Sequence, residues 1–188
     1  MRWRVQQPGP RVLEPGPLVS RRSGLRRRIR RDPSLVEAYD SRGTAYRNLG
    51  DTQQAIEDYS AAILIRPSYA SAYFNRGTAY LSLGQHQPGL QDFNEAIRLA
   101  PANADAHTNR GFALLNLGFA DLSINDYNQA IELKPEAYVG RALAYTVLGR
   151  DAEAAEDLAR ATELGVEQAF LDEVLEEVKN LFAEAAGS

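Results

Sequence analysis

The chain has 188 residues, of which 44% are hydrophobic and 24% charged, enough for one domain or a run of small repeats with a core of its own. It contains no cysteine, which excludes disulfides, thiolate metal sites and cysteine nucleophiles. The formal charge of −4 is unevenly placed: residues 1–32 carry ten arginines against Glu14 and Asp32, a net +8, and residues 33–188 carry a net −12.

The first 32 residues differ in kind from the rest. Four of the nine prolines fall between Pro8 and Pro17, and apolar residues are scattered. Composition predicts a basic, mostly disordered segment over 1–32, with residues 1–23 mobile. It lacks the apolar run of a secretory signal, and no stretch of the chain reaches the roughly 18 apolar residues of a membrane span. The expected location is cytoplasmic, with an Arg-rich organellar transit segment as the alternative. Arg21, Arg22, Arg26, Arg27, Arg28, Arg30 and Arg31 read as a solvated tail, the alternative being contact with RNA or an anionic lipid surface.

From Pro33 onward the chain repeats itself. Residues 33–66, 67–100 and 101–134 are blocks of 34 residues, and residues 135–165 form a fourth block shorter by three. Gly43, Gly77, Gly111 and Ala142 mark one position, followed seven residues later by Gly50, Gly84, Gly118 and Gly149. Each block reads as two helices and a turn. Tyr39, Gly43 and Tyr46 share one helical face, and Ala55, Tyr59 and Ala62 share another. Gly50 ends the first helix, Asp51 with Gln54 caps the second, and Ser34 with Glu37 forms a similar box at the start of the block. No block can bury its apolar face alone, so the four must stack. Val166, Phe170, Leu171, Val174, Leu175, Val178, Leu181 and Phe182 then form a stripe that predicts a C-terminal capping helix within residues 166–188. The fold class is all-α. Leu25 to Pro33 also reads as the end of the second helix of a truncated repeat.

These markers resemble the tetratricopeptide repeat. The matching residues are Tyr39, Gly43, Tyr46, Ala55, Tyr59, Ala62 and Pro67, then Tyr73, Gly77, Tyr80, Gly89, Phe93, Ala96 and Pro101. The third set is His107, Gly111, Leu114, Ser123, Tyr127, Ala130 and Pro135; the fourth is Tyr138, Ala142, Tyr145, Ala154, Leu158 and Ala161. The resemblance implies an α-α superhelix of four repeats plus the capping helix.

An arginine precedes each small marker (Arg42, Arg76, Arg110 and Arg141), and an aspartate follows sixteen residues after it (Asp58, Asp92, Asp126 and Asp157). Both fall within apolar stripes, where an unpaired charge is costly, so four structural ion pairs are expected rather than a ladder of arginines for an anionic ligand. Neither His86 nor His107 has the spacing of a triad, and no glycine-rich phosphate loop is present. No catalytic, metal-binding or cofactor-binding residues are expected, and no small-molecule substrate. The chain reads as a non-enzyme.

Binding remains. The resemblance implies a concave surface lined by first helices that receives a peptide or helix of a partner protein. In the first repeat the corresponding positions are Glu37, Asp40, Thr44 and Arg47; in the last they are Glu136, Val139, Leu143 and Thr146. Between them the expected groove holds Phe74, Asn75, Thr78, Leu81, Thr108, Asn109, Phe112, Leu115 and Asn116, with Leu143 completing its apolar lining. Relatives that clamp an acidic C-terminal tail carry basic residues where this chain has Asp40, Asp105 and Asn109, so the resemblance argues against such a ligand. A protein-binding scaffold is the leading reading. The alternative is an assembly or adaptor factor recruited to RNA or an anionic membrane by residues 1–32.

Overall fold

Glycine ends the first helix of every repeat because the backbone there turns left-handed. In the computed structural model, which describes residues 17–167 and Leu171, Gly50, Gly84, Gly118 and Gly149 have φ between 69° and 84°, a region that a Cβ would strain. The following amide closes the turn on the helix end, as in Asp51 N to the Tyr46 carbonyl at 2.9 Å. The chain reverses within a few residues, and the two helices of a repeat pack against each other.

Among the described residues all regular structure is helical: α1 (Pro17–Arg31), α2 (Val36–Asn48), α3 (Thr52–Ile65), α4 (Ala70–Ser82), α5 (His86–Leu99), α6 (Ala104–Asn116), α7 (Ala120–Ala130), α8 (Glu136–Val147) and α9 (Asp151–Glu163). The pairs α2–α3, α4–α5, α6–α7 and α8–α9 are the four repeats, and each second helix also packs on the first helix of the next. First helices touch in succession, α2 on α4, α4 on α6 and α6 on α8, whereas the second helices make no comparable contact among themselves. First helices therefore take the inner radius of a curved stack and second helices the outer.

Within a repeat the core is a ring laid on a glycine. Tyr59, Phe93 and Tyr127 are at most 2% exposed, and a Cβ added to Gly43, Gly77 or Gly111 would come within 2.7, 2.9 or 3.0 Å of these rings. In the fourth repeat Leu158 replaces the ring, and the marker is Ala142, fully buried. Tyr127 also meets Gly140 of α8, so it packs against two consecutive first helices.

The arginines bind the stack laterally. Arg42, Arg76, Arg110 and Arg141 each donate Nε and Nη2 to the two carboxylate oxygens of Asp58, Asp92, Asp126 and Asp157 at 2.6–2.8 Å. The carboxylates are 4–8% exposed and the guanidiniums 18–25%. The third edge of the fork reaches back to the preceding repeat: Arg76 Nη1 donates to Ser60 Oγ at 2.9 Å, Arg110 Nη1 to Asn94 Oδ1 at 2.9 Å, and Arg141 Nη1 to Asn128 Oδ1 at 2.5 Å. One guanidinium thus joins three helices. Tyr39, Tyr73 and Tyr138 lie 5.5–5.9 Å from the same guanidiniums. His107, in that register, instead places Nδ1 3.0 Å from Asp126 Oδ1 and Nε2 3.0 Å from the Pro101 carbonyl.

Two sequence expectations need correction. Within the segment expected to be mostly disordered, Pro17–Arg31 is helical, including part of the stretch expected to be mobile, while residues 1–16 lie outside the described residues; Leu25 and Ile29, 7% and 9% exposed, pack with Ala38. Spaced four apart, they form the stripe that α2 needs on its open side, so α1 packs where the second helix of a preceding repeat would. The Ser34–Glu37 box is absent, because α2 begins at Val36 and Ser34 donates instead to Asp32 Oδ1. The capping helix expected within 166–188 lies outside the described residues except for Val166, Glu167 and Leu171. Leu171, 1% exposed, packs with Val139 and Ala161.

Two outcomes follow from this packing. Gly77→Ala should cost about 1–3 kcal/mol by crowding Phe93. Adding Phe93→Leu, which reproduces the Ala142–Leu158 pairing, should recover part of that loss in urea or thermal unfolding; additive losses would mean that the ring does not set the marker. Removing either Arg76 or Asp92 should cost on the order of 3–5 kcal/mol, and the double replacement should cost less than the two singles together in a double-mutant cycle.

Candidate functional site

Residues of α2, α4, α6 and α8 divide between two faces. One is buried on the second helices; the other lines the inner surface of the stack. On that inner face Phe112 projects, with 44% of its surface exposed. His86, at the start of α5, meets it edge-on with ring centroids 6.1 Å apart and an interplanar angle of 61°. Contact of this kind holds an exposed ring in one orientation. The other apolar residues expected on this face are less exposed. Phe74 is half-buried with its ring 6.2 Å from Phe93, and Leu81 lies against Gly89, where a Cβ would come within 3.1 Å of Leu81 Cδ2. Leu115 packs with Ile124, Tyr127 and Ala144, and Leu143 is half-buried on α8.

Two of the polar residues expected on this face, Asn75 and Asn109, join neighbouring first helices. Asn75 Nδ2 donates to Asp40 Oδ1 at 2.8 Å, linking α4 to α2, and Asn109 Nδ2 donates to Thr78 Oγ1 at 3.2 Å, linking α6 to α4. Thr78, Thr108 and Asn116 each donate to a carbonyl four residues earlier in their own helix. An asparagine amide carries two N–H donors and a carbonyl oxygen. Fixing one N–H of Asn75 or Asn109 orients the other N–H and Oδ1. Burial pushes the Asp40 carboxyl above its ordinary range, and the bond from Asn75 opposes that shift.

The acidic lining read from the sequence is largely paired within the chain. Glu37 accepts from Arg66 at 2.9 Å, and Asp105 pairs with Lys134. Both pairs tie the end of a second helix to the start of its own first helix, 29 residues earlier. Asp40 forms no salt bridge among the described residues, although Arg47 lies near enough to favour its charged form. A further correction concerns Val139, expected on the concave surface: it is 4% exposed, covered by Ala161 and Leu171. The position sits over the end of α9, where a single added leucine reaches it.

Three features escaped the sequence reading. Ser60, Asn94 and Asn128 recur at 34-residue spacing as acceptors for the arginine of the next repeat, a signal available in the register. Gly140, set where the earlier repeats carry Asn75 and Asn109, makes room for Tyr127. The His86–Phe112 contact had no periodic signal, since the other repeats do not carry that pair. Among the described residues no group of three or more His, Asp or Glu is placed to hold a metal ion, and no helix is long and apolar enough to cross a membrane.

Known proteins similar to this chain share the architecture. A family model for the TPR repeat matches residues 43–84, and two models for the tetratricopeptide repeat match residues 70–103 and 108–165. A crystal structure of MamA is 27% identical and covers 79% of this chain and 88% of its own, with a TM-score of 0.73. MamA 41-end from Desulfovibrio magneticus RS-1 is 22% identical over 79% of this chain and 86% of that chain, with a TM-score of 0.74, and supports the fold alone. The same holds for YrrB, described as a TPR protein with an unusual peptide-binding site, 18% identical over 85% of this chain and 84% of its own, with a TM-score of 0.73. No curated protein matches the chain.

Proposed function

The chain belongs to the tetratricopeptide repeat family, and on that premise we propose that it is a protein-interaction scaffold whose inner surface, across repeats two to four, holds a peptide or helical segment of a partner protein. The observation that carries this reading is Phe112. An aromatic ring 44% exposed on the inner helices, braced by His86 and flanked by the half-buried Leu115 and Leu143, has the form of an interface anchor. YrrB, of the same fold, is described as having a peptide-binding site. Asn75 and Asn109, each already anchored through one N–H, present an amide edge that can pair with the backbone of an extended ligand. Little rotamer freedom is left to lose at these side chains on binding, which helps a modest surface reach useful affinity. Asp40, outside any salt bridge among the described residues, favours a donor or a basic side chain in the ligand and acts more on association rate than on affinity. The pairs at Glu37 and Asp105 are exposed and weak, so they would yield to a basic partner at little cost.

Phe112 is the position to test, since Leu115 is committed to the core. Phe112→Asp should leave helicity and the melting temperature near those of the parent chain. It should also weaken capture of the partners recovered with the parent chain by about thirtyfold, the effect of losing an anchor of about 2 kcal/mol. Phe112→Leu should retain an intermediate share. A folded Phe112→Asp chain that keeps its partners at full yield would exclude the inner surface as the binding site.

A further inference from the structure

The arginine brackets provide an internal comparison, because the same junction occurs between every pair of successive repeats and one of them differs. At three junctions the outward edge of the core arginine is closed by an uncharged acceptor on the preceding second helix: Ser60 for Arg76, Asn94 for Arg110 and Asn128 for Arg141. At the first junction the corresponding residue, sixteen before Arg42, is Arg26 on α1. It is a donor, not an acceptor. Arg42 gives Nε and Nη2 to Asp58, and these are its hydrogen bonds among the described residues, with none from Nη1. Arg26 is held in place by donating Nη2 to the Tyr46 hydroxyl at 2.8 Å.

The result is a cleft between α1, α2 and α3 lined by Arg26, Ile29, Arg30, Arg42, Tyr46 and Gln54. The equivalent cleft at the third junction is lined by Leu90, Leu114 and Leu122 together with Asn94, Asn125 and the Arg110–Asp126 pair, so the basic character belongs to the first junction and not to the fold. Arg26 and Arg30 are exposed and take no part in the ion pairs of the described residues, whereas Arg66, Arg98, Lys134, Arg150 and Arg160 elsewhere on the surface all do. Gln54 donates its amide to Glu57, which does not line the cleft.

We propose that this cleft is a binding site for a phosphate monoester, carried on a serine or threonine side chain of a partner protein, with a phosphate oxygen occupying the acceptor position that Ser60, Asn94 and Asn128 fill at the other junctions. The charges agree. Three guanidiniums and the Asp58 carboxylate leave a local charge of +2, and a phosphate monoester carries about −1.5 to −2 at neutral pH with three acceptor oxygens. Planar guanidinium forks suit such an anion. A diester carries one charge and two free oxygens, and would leave one guanidinium uncompensated. A bilayer is a poorer match, since the apolar face of α1 is already buried on α2. The site is on the outer side of the stack and does not depend on the groove reading.

The test uses the full chain with three probes: a phosphoserine peptide, its unphosphorylated form and inorganic phosphate, titrated calorimetrically at fixed ionic strength. The phosphoserine peptide should bind and the unphosphorylated one should not. Inorganic phosphate should compete for the same site; competition without peptide binding would mean that free phosphate is the ligand and would overturn the assignment to a protein side chain. Arg26→Asn supplies Arg42 with the acceptor found at the other junctions, so it should preserve or raise the melting temperature while weakening phosphopeptide binding about tenfold or more. Arg30→Gln should also weaken it. Arg27→Asn removes the same charge from the same helix outside the cleft and should have little effect. Equal losses for Arg26→Asn and Arg27→Asn would reduce the effect to general electrostatic attraction and overturn the proposal. So would tighter binding of single-stranded RNA or anionic vesicles that draws on Arg27, Arg28 and Arg31 as much as on Arg26.

Discussion

A guanidinium placed between two helices has five N–H groups to satisfy and a charge it cannot lose. That constraint organises this array. The aspartate on the second helix takes two donors and compensates the charge, and in Arg76, Arg110 and Arg141 the remaining edge finds an acceptor across the repeat boundary. Through one side chain, the pairing of helices within a repeat and the stacking of one repeat on the next become a single requirement. Removing the aspartate would strand a largely buried ion, which costs far more than the pair itself contributes.

Apolar packing obeys a similar reciprocity. Gly43, Gly77 and Gly111 are glycines because a ring lies on them, and Ala142 is an alanine because Leu158 does not fill the same space. Close packing makes small and large residues covary across the helix pair. The left-handed glycines after each first helix then fix the reversal that brings these partners together.

The pattern is released at two places, and both proposed sites lie there. The inner surface keeps first helices side by side, so a residue not used for packing on a second helix is left facing outward from the core, as Phe112 is. On the outer side, clefts lie at the first and third junctions, and the side chain that faces the core arginine from the preceding helix sets their chemistry. Where that side chain is an acceptor it satisfies the arginine's outer edge. Where it is Arg26, a donor, the junction presents positive charge.

Much of this was legible in the chain itself. The 34-residue register, the helix pairs, the terminating glycines and the pairing of Arg42, Arg76, Arg110 and Arg141 with aspartates sixteen residues on all follow from periodicity and from the cost of burying an unpaired charge. These signals act along one helix or recur at one spacing, so a sequence displays them directly. Contacts that depend on how helices lie across one another were settled only by the tertiary structure. The burial of Leu25 and Ile29 decided between the two readings of that stretch, disorder and the end of a truncated repeat, and Leu171 covered Val139, which had been expected on an open surface. Exposure of Phe112 rather than Leu115 was decided in the same way, although both lie on one face of α6. Helical phase says which side a residue is on, but how much of it remains uncovered depends on what packs there from another part of the chain.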